Sequence, residues 1–269
     1  MTADRPDWVP PGVDTRRANP ARVYDYWLGG THNFLADQDA GRAVVAADPN
    51  MREMARANRA FLGRAVRFLA AQGIRQYLDI GSGIPTQGNV HEIAQQAAPG
   101  SRVVYVDIDP VAVAHSRAIL AGIQDAGIIE ADLREPQKIL AHSVTRSLVD
   151  FDQPAGLLLS AVLHFVGHDE DPWRLTRTLR DALPAGSYLV ISHGTDEAVD
   201  AEAAGKVYNS TVSTQIHLRS RAEVVKFFDG FKLVQPGVVF IPEWRPDSAE
   251  DVRGHLGRIP GLVGVARKP

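Results

Sequence analysis

Tyr77-Leu78-Asp79-Ile80-Gly81-Ser82-Gly83 reads as a short buried strand that ends in an acid and breaks at once into a two-glycine turn. A second apolar run, 103–106, closes on Asp107 about twenty residues further on, the spacing at which a βαβ unit sets a carboxylate against a ribose. Glycine suits the turn because, without a Cβ, the main chain can adopt positive φ and come close to a ligand. Free N–H groups of the loop and of the following helix start would then face that ligand. Two strands with a nucleoside-sized gap beyond their tips are the expected result.

What surrounds the glycines bears on which nucleoside fits. A dinucleotide site takes G-x-G-x-x-G, whose third glycine lets helix and strand pack closely, and here Thr86 holds that position behind Pro85. Asp79 beside a diphosphate would be unfavourable, whereas beside an ammonium group it is attractive. S-adenosylmethionine carries such a group and is preferred over a nicotinamide dinucleotide.

Three stretches, Asp79-Ile80-Gly81-Ser82-Gly83, Val106-Asp107-Ile108-Asp109-Pro110 and Ala131-Asp132-Leu133, resemble the successive motifs of class I S-adenosylmethionine-dependent methyltransferases. The chain is also similar to one bacterial family, long catalogued as a domain of unknown function and now labelled S-adenosyl methyltransferase. That likeness rests on Ala21-Arg22-Val23-Tyr24-Asp25-Tyr26-Trp27-Leu28-Gly29-Gly30 with Asn33, Phe34 and Asp37, on Asn58-Arg59-Ala60-Phe61-Leu62, and on Gly83-Ile84-Pro85-Thr86-Gln87-Gly88-Asn89-Val90-His91-Glu92. It covers nearly the whole chain and departs from the wider superfamily at Pro85, which stands where a third glycine is usual and stiffens the loop.

The resemblance implies an α/β, Rossmann-like class I methyltransferase fold: a mostly parallel seven-stranded sheet, helices on both faces and an N-terminal helical lid. It divides the chain into an arm and lid at 1–50 and a methyltransferase domain at 51–269. It further implies that Asp79 and the Gly81, Ser82 and Gly83 backbone hold the methionine portion of S-adenosylmethionine. Asp107 would hold the ribose hydroxyls, Asp132 the adenine amino group, and Leu133 or Ile108 an adenine face. Ser160 and Val162 would lie beside the sulfonium, with Arg22 and Tyr24 also in the cofactor-binding set. Asp109 competes with Asp107 for the ribose, although just before Pro110 it suits a helix N-cap. Asp132, equally, could cap the turn before Pro136.

Composition limits the other classes. A chain of 269 residues, 45% hydrophobic and 23% charged, can bury one sizeable α/β core with appendages. The lack of cysteine excludes disulfides, thiolate metal sites and a cysteine nucleophile. Net charge of -3 and a pI near 6.3 give no electrostatic footprint for nucleic acid. The first twelve residues are charged and proline-rich, and the longest apolar stretch, 155–166, is too short to span a bilayer. A cytoplasmic protein without nucleic-acid or membrane partner is expected.

Along the chain, a mobile arm precedes an amphipathic helix in which Met54, Ala57, Phe61, Ala65, Phe68 and Leu69 recur at helical spacing, with Arg52, Arg56, Arg59, Arg64 and Arg67 largely between them. Strand and helix signals then alternate: strands at 77–80, 103–106, 128–131, 157–161 and 187–192, with helices from about Asn89, from Pro110 and over 172–183. Ser220 and Glu223 form a capping box for a helix to about Phe228, and 231–234 and 262–266 are the last strand candidates. Short crossovers of this kind require a mostly parallel sheet with ligands outside the strands' carboxyl ends.

Candidate acceptor residues are weaker. Residues 22–37 mix aromatics, glycines and charges without clean periodicity, which suits a folded lid better than a regular helix. In that lid Tyr26, Trp27 and Asn33 would face a substrate, as would Tyr208 and Asn209 from the insertion at 196–219. Packing and a solvated helix face explain the same residues, and Arg56, Asn58 and Arg59, without any ligand. His164 and His193 follow strands and could overlook the transfer point as bases, though most such histidines are structural. No tight histidine spacing suggests a metal. The expected activity is methylation of an unidentified small molecule at oxygen or nitrogen by in-line transfer. The alternatives are a regulatory or accessory protein that binds S-adenosylmethionine without transfer, and an NAD(P)-dependent oxidoreductase.

Overall fold

The structure, a computed structural model, describes residues 8–86, 88–248 and 259–269. Gln87 and the start of the expected arm, 1–7, lie outside the described residues. Five strands alternate with helices: β1 (Gln76–Ile80), α4 (Val90–Ala97), β2 (Arg102–Asp107), α5 (Pro110–Ile119), β3 (Ala126–Glu130), α6 (Pro136–Ala141), α7 (Ser143–Leu148), β4 (Gly156–Ser160), α8 (Pro172–Asp181) and β5 (Tyr188–Gly194). Before them come α1 (Pro20–Trp27), α2 (Leu35–Ala47) and α3 (Met51–Ala71); after them α9 (Ala201–Thr211), α10 (Arg221–Lys226), β6 (Lys232–Leu233), β7 (Val239–Phe240) and β8 (Gly261–Arg267).

The strands order as β3-β2-β1-β4-β5-β8-β6, with β7 also pairing β8. The pairs among β1 to β5 are parallel, and β8 runs antiparallel to β5. Among the described residues there are eight strands, one more than predicted. The extra one, β7, is two residues long and lies in the apolar run 238–241, which the sequence reading leaves without a strand.

Each central strand is apolar on both faces, as burial on both sides demands. Leu78, Ile80, Val104, Val106, Leu157 and Leu159 point into one core with Leu175, Leu179 and Phe227. Their neighbours Tyr77, Val103, Tyr105 and Leu158 point into the other, under Phe61, Leu62, Ala65 and Leu69 of α3. Arg64 departs from the expected polar stripe of that helix: it is buried and donates to the carbonyls of Trp244 (3.1 Å) and Ile241 (3.3 Å).

Residues 20–27 form a regular helix, in keeping with the helical lid that the resemblance implies and against the irregular reading of the 22–37 pattern. Asn19 caps it by accepting from the Ala21 amide, and Pro20 occupies its first turn. The pattern misled because the helix buries polar side chains. Arg22 lies near Asp37 (3.6 Å) and Asp109 (3.7 Å), and Asp25 accepts from Asn33, the His32 amide and the Thr86 hydroxyl. Val23 and Trp27 face a third core with Val44, Met51, Ala204 and Tyr208, so α1, α2 and α9 close over the carboxyl end of the sheet.

Candidate active site

The chain leaves β1 for β2 on one side, continues to β3, and returns to β4 on the other side of β1. This switch in order opens a crevice beyond the tips of β1 and β4, and a cavity of about 260 Å³ lies there. Gly81, with φ of +73°, passes against Val162 after β4: a Cβ on Gly81 would stand 2.3 Å from Val162 Cγ2. The glycine is therefore needed twice, for its backbone angle and for the close approach of two loops.

The loop amides are not free. Gly81 and Ser82 N–H donate to the Val106 carbonyl (2.8 and 3.1 Å), and Gly83 N–H donates to Asp107 Oδ2 (2.7 Å). Asp107 Oδ1 accepts from the Asp109 amide (2.8 Å). The start of α4 lies well beyond the loop and is capped by Asn89 and Glu92. The expected nest of free N–H groups is thus absent from the 81–83 turn, and with it the feature that would cradle a diphosphate.

A different polar group is exposed to the cavity. Asp79 at the tip of β1 is 2% exposed, and among the described residues its carboxylate accepts no hydrogen bond. Burial raises its pKa to about 7, against the opposing pull of the Arg59 charge. Asp107 is raised to about 6, again chiefly by burial, while the backbone bonds from Asp109 and Gly83 act against the shift. Among the described residues the Ser82 hydroxyl is buried without a partner. A buried acid and a buried hydroxyl left unpaired beside a glycine turn fit a ligand carrying a cation and polar groups.

Comparison with known proteins agrees with that chemistry. Residues 6–269 match the family described as S-adenosyl methyltransferase. A DUF574 family protein of Streptomyces avermitilis MA-4680 is 41% identical with a TM-score of 0.91, over 95% of this chain and 99% of that one. A Thermobifida fusca YX protein assigned as a methyltransferase is 39% identical with a TM-score of 0.92, over 98% of this chain and 99% of that one.

The chain belongs to the S-adenosyl methyltransferase family. Mitomycin 7-O-methyltransferase MmcR, 17% identical with a TM-score of 0.53 over 96% of this chain and 74% of that one, shares the Rossmann-like class I methyltransferase fold. The search of curated proteins gives no match.

In this family member one continuous cavity runs from a near compartment over β1 to β3 to a far compartment beside α1, α3 and α9. Asp79, Ser82, Asp107, Ile108, Asp132 and Leu133 line the one over β1 to β3. Ile108 stands at its rim, 58% exposed, and Leu133 is buried. Asp132 accepts from the Arg134 amide (2.8 Å), and Arg134 pairs with Glu170 and donates to the Phe165 carbonyl. Asp109 caps α5 through Val111 (2.7 Å) and Ala112 (3.2 Å). Between the compartments, Ser160 and Ser192 face each other in register across β4 and β5, hydroxyls 3.1 Å apart. Asn58 donates to Ser160 (3.3 Å) and to the Tyr24 hydroxyl (3.0 Å), and Tyr24 donates to the Ala55 carbonyl. Ser192 escaped sequence reasoning; its register opposite Ser160 was the signal available.

Trp27, Tyr208 and His164 line the far compartment, but four expected residues do not reach the cavity. Arg22 spends its guanidinium on the Asp14 and Arg17 carbonyls and on two acids. Tyr26 accepts from Arg52 on the outer side (2.9 Å). Asn33 donates to Asp25 and the Gly30 carbonyl, and Asn209 clamps the amide and carbonyl of Ile216. All four are fixing residues: their polar atoms hold the helices and loops around the site.

Both histidines are held neutral. His193 donates from Nδ1 to the Gly194 carbonyl (2.6 Å) and accepts at Nε2 from Arg219 (2.8 Å). Arg219 itself is fully buried and also donates to the Leu163 and Val166 carbonyls. His164 accepts at Nδ1 from the Gly194 amide (3.3 Å), and burial, with the nearby Arg219 charge, lowers its pKa to about 3.

Proposed function

We propose that the protein transfers a methyl group from S-adenosylmethionine to a small-molecule acceptor at oxygen or nitrogen. The observation carrying this reading is the unpaired, buried carboxylate of Asp79 next to the Gly81 turn, one strand away from Asp107. Asp79 would neutralise the donor's ammonium, Ser82 would supply a hydroxyl, and Asp107, already fixed by two backbone amides, would hold the ribose. Asp132 and the Ile108 and Leu133 side chains would hold adenine.

The bound donor supplies a methyl group activated on a positively charged sulfur. The protein's own part is to orient the two reactants and exclude water, which can account for roughly 7–11 kcal/mol of a barrier. Neither His164 nor His193 is needed as a base. A group with pKa near 3 accepts protons poorly at neutral pH, and the only lone pair of His193 is taken by Arg219. An acceptor with an intrinsically nucleophilic oxygen or nitrogen is therefore called for.

In this proposal the described part of the 1–50 segment, 8–50, acts as a fixed roof over the described part of the methyltransferase domain. Thr86 ties α1 to the glycine loop through Asp25 (2.7 Å), and Arg22 lies beside the α5 cap. The same anchoring favours a second reading, a donor-binding accessory protein whose acceptor side is closed. Thermal denaturation with saturating S-adenosylmethionine tests the common ground: a rise in Tm that Asp107→Ala abolishes supports both readings, and no rise defeats both. Release of S-adenosylhomocysteine in the presence of a metabolite extract then separates them. A nicotinamide enzyme has no support from the 81–83 turn, whose amides are all engaged within the protein.

A further inference from the structure

The far compartment has a composition that says what can enter it. Its walls come from α1, α3, α9 and the loops after β4 and α9, with Trp27, Met51, Met54, Phe165, Tyr208 and Ile216 as its larger side chains. The charged residues lining the cavity are Arg59, Asp79, Asp107, Asp109, Asp132 and Arg134; the four acids stand at or just beyond the tips of β1 to β3, the Arg59 charge acts on Asp79, and Arg134 pairs with Asp132 and Glu170. Among the described residues, the larger side chains of the far wall bring no charge of their own. A carboxylate there would find no cation of its own among the described residues and an alkyl ammonium no acid, and burial of either unpaired is costly. His164 and His193 add no charge because both stay neutral. Phe165 and Tyr208 lie nearly parallel, centroids 6.4 Å apart at 29°, and Trp27 tilts against Tyr208 at 50°, which gives flat faces to stack against.

Resting on the methyltransferase reading above, we propose that the acceptor is an uncharged, ring-containing, largely apolar molecule, bound between the aromatic wall of Trp27, Phe165 and Tyr208 and the methionines of α3. Its reacting oxygen or nitrogen lies toward Ser160, where the Asn58, Ser160 and Ser192 chain supplies the hydrogen-bonding groups at the boundary. The acceptor lone pair forms the new bond to the methyl carbon while the carbon–sulfur bond breaks with its electron pair remaining on sulfur. The acceptor's proton passes to bulk water.

Calorimetry on protein saturated with S-adenosylhomocysteine tests this with a matched set: 2-naphthol, 6-hydroxy-2-naphthoate and a 6-aminomethyl-2-naphthol cation. The neutral member is expected to bind at least tenfold more tightly than either charged one. Ala204→Leu, which fills the α9 wall, is expected to weaken it at least tenfold while leaving the nucleoside's affinity unchanged; Ala201→Leu serves if the first variant does not fold. Equal or tighter binding of a charged member, no binding of the neutral one, or indifference to both wall variants would overturn the proposal. Nucleoside binding is measured first on the same sample. Its absence sinks the methyltransferase reading, and the naphthol series without nucleoside then still reports the compartment's charge preference.

Discussion

The donor and acceptor sides of one cavity are held by opposite means. Over β1 to β3 the wall is a set of strand tips and tight turns, in which each amide of 81–83 and each oxygen of Asp107 has an assigned partner. On the far side the wall is a set of helix faces packed by apolar contact, with Trp27, Val44, Met51, Ala204 and Tyr208 in one cluster. Backbone-defined geometry tolerates few changes, because a new atom has nowhere to go. Side-chain packing around an open space can be re-cut, as hydrophobic substitutions of similar volume usually cost little. The donor side is therefore expected to be brittle and the acceptor side permissive.

The largest effect that could break this contrast is at Gly81. Gly81→Ala places a Cβ against Val162 at positive φ and is expected to cost roughly 2–5 kcal/mol of stability by chemical denaturation, with loss of the donor-induced rise in Tm. Adding Val162→Ala should recover the steric part and leave about 1–2 kcal/mol of backbone strain. If Gly81→Ala alone is as stable as the wild type, the donor side is not brittle.

Asp107 comes next. Asp107→Ala removes the acceptor for two buried amides as well as the proposed ribose ligand, and donor affinity measured by calorimetry is expected to fall about 100-fold, in line with loss of a charged hydrogen-bonding partner. Asp107→Asn keeps an acceptor oxygen and should fall less. Equal losses for the two would assign the effect to charge alone.

Asp79 sharpens the contrast through pH. Its carboxyl is raised from an ordinary 3.8 to about 7, so the folded protein holds a proton there that the unfolded chain releases. Ligand-free stability should therefore fall as pH rises from about 4 to about 7. Donor binding has the opposite sign, since an ammonium pairs with the ionised form: affinity should drop by up to tenfold per pH unit below about 7. Asp79→Asn should flatten that slope. A wild-type slope that persists in Asp79→Asn would place the titrating group elsewhere.

How much of this could be read in the sequence follows the same division. The strands, their order of appearance, the acids at their tips and the capped starts of α5 and α10 were legible because each depends on residues adjacent in the chain. The burden on the glycine amides was not, since their partners Val106 and Asp107 become neighbours only when β1 and β2 pair. Nor was the regular helix at α1, whose Arg22 and Asp25 break the apolar periodicity and are buried only because Asp37, Asp109 and Thr86 close around them. Arg22, Tyr26, Asn33 and Asn209 looked like ligand contacts for a related reason: polar groups that fasten one element to another carry the same chemistry as groups that hold a substrate.

The smallest expected effect is at His164, and it matters because a base there would contradict the division of labour. His164→Gln keeps an acceptor near the Gly194 amide and removes the imidazole from the cavity wall. With its pKa lowered to about 3 by burial and nearby positive charge, the ring carries no useful basicity at neutral pH, so kcat for an accepted phenol should change by less than about threefold. The wild-type pH profile of kcat should show no limb that disappears in the variant. A loss of about 100-fold with such a limb, while donor affinity stays constant, would make His164 a general base. It would also mean that the far compartment supplies chemistry as well as shape.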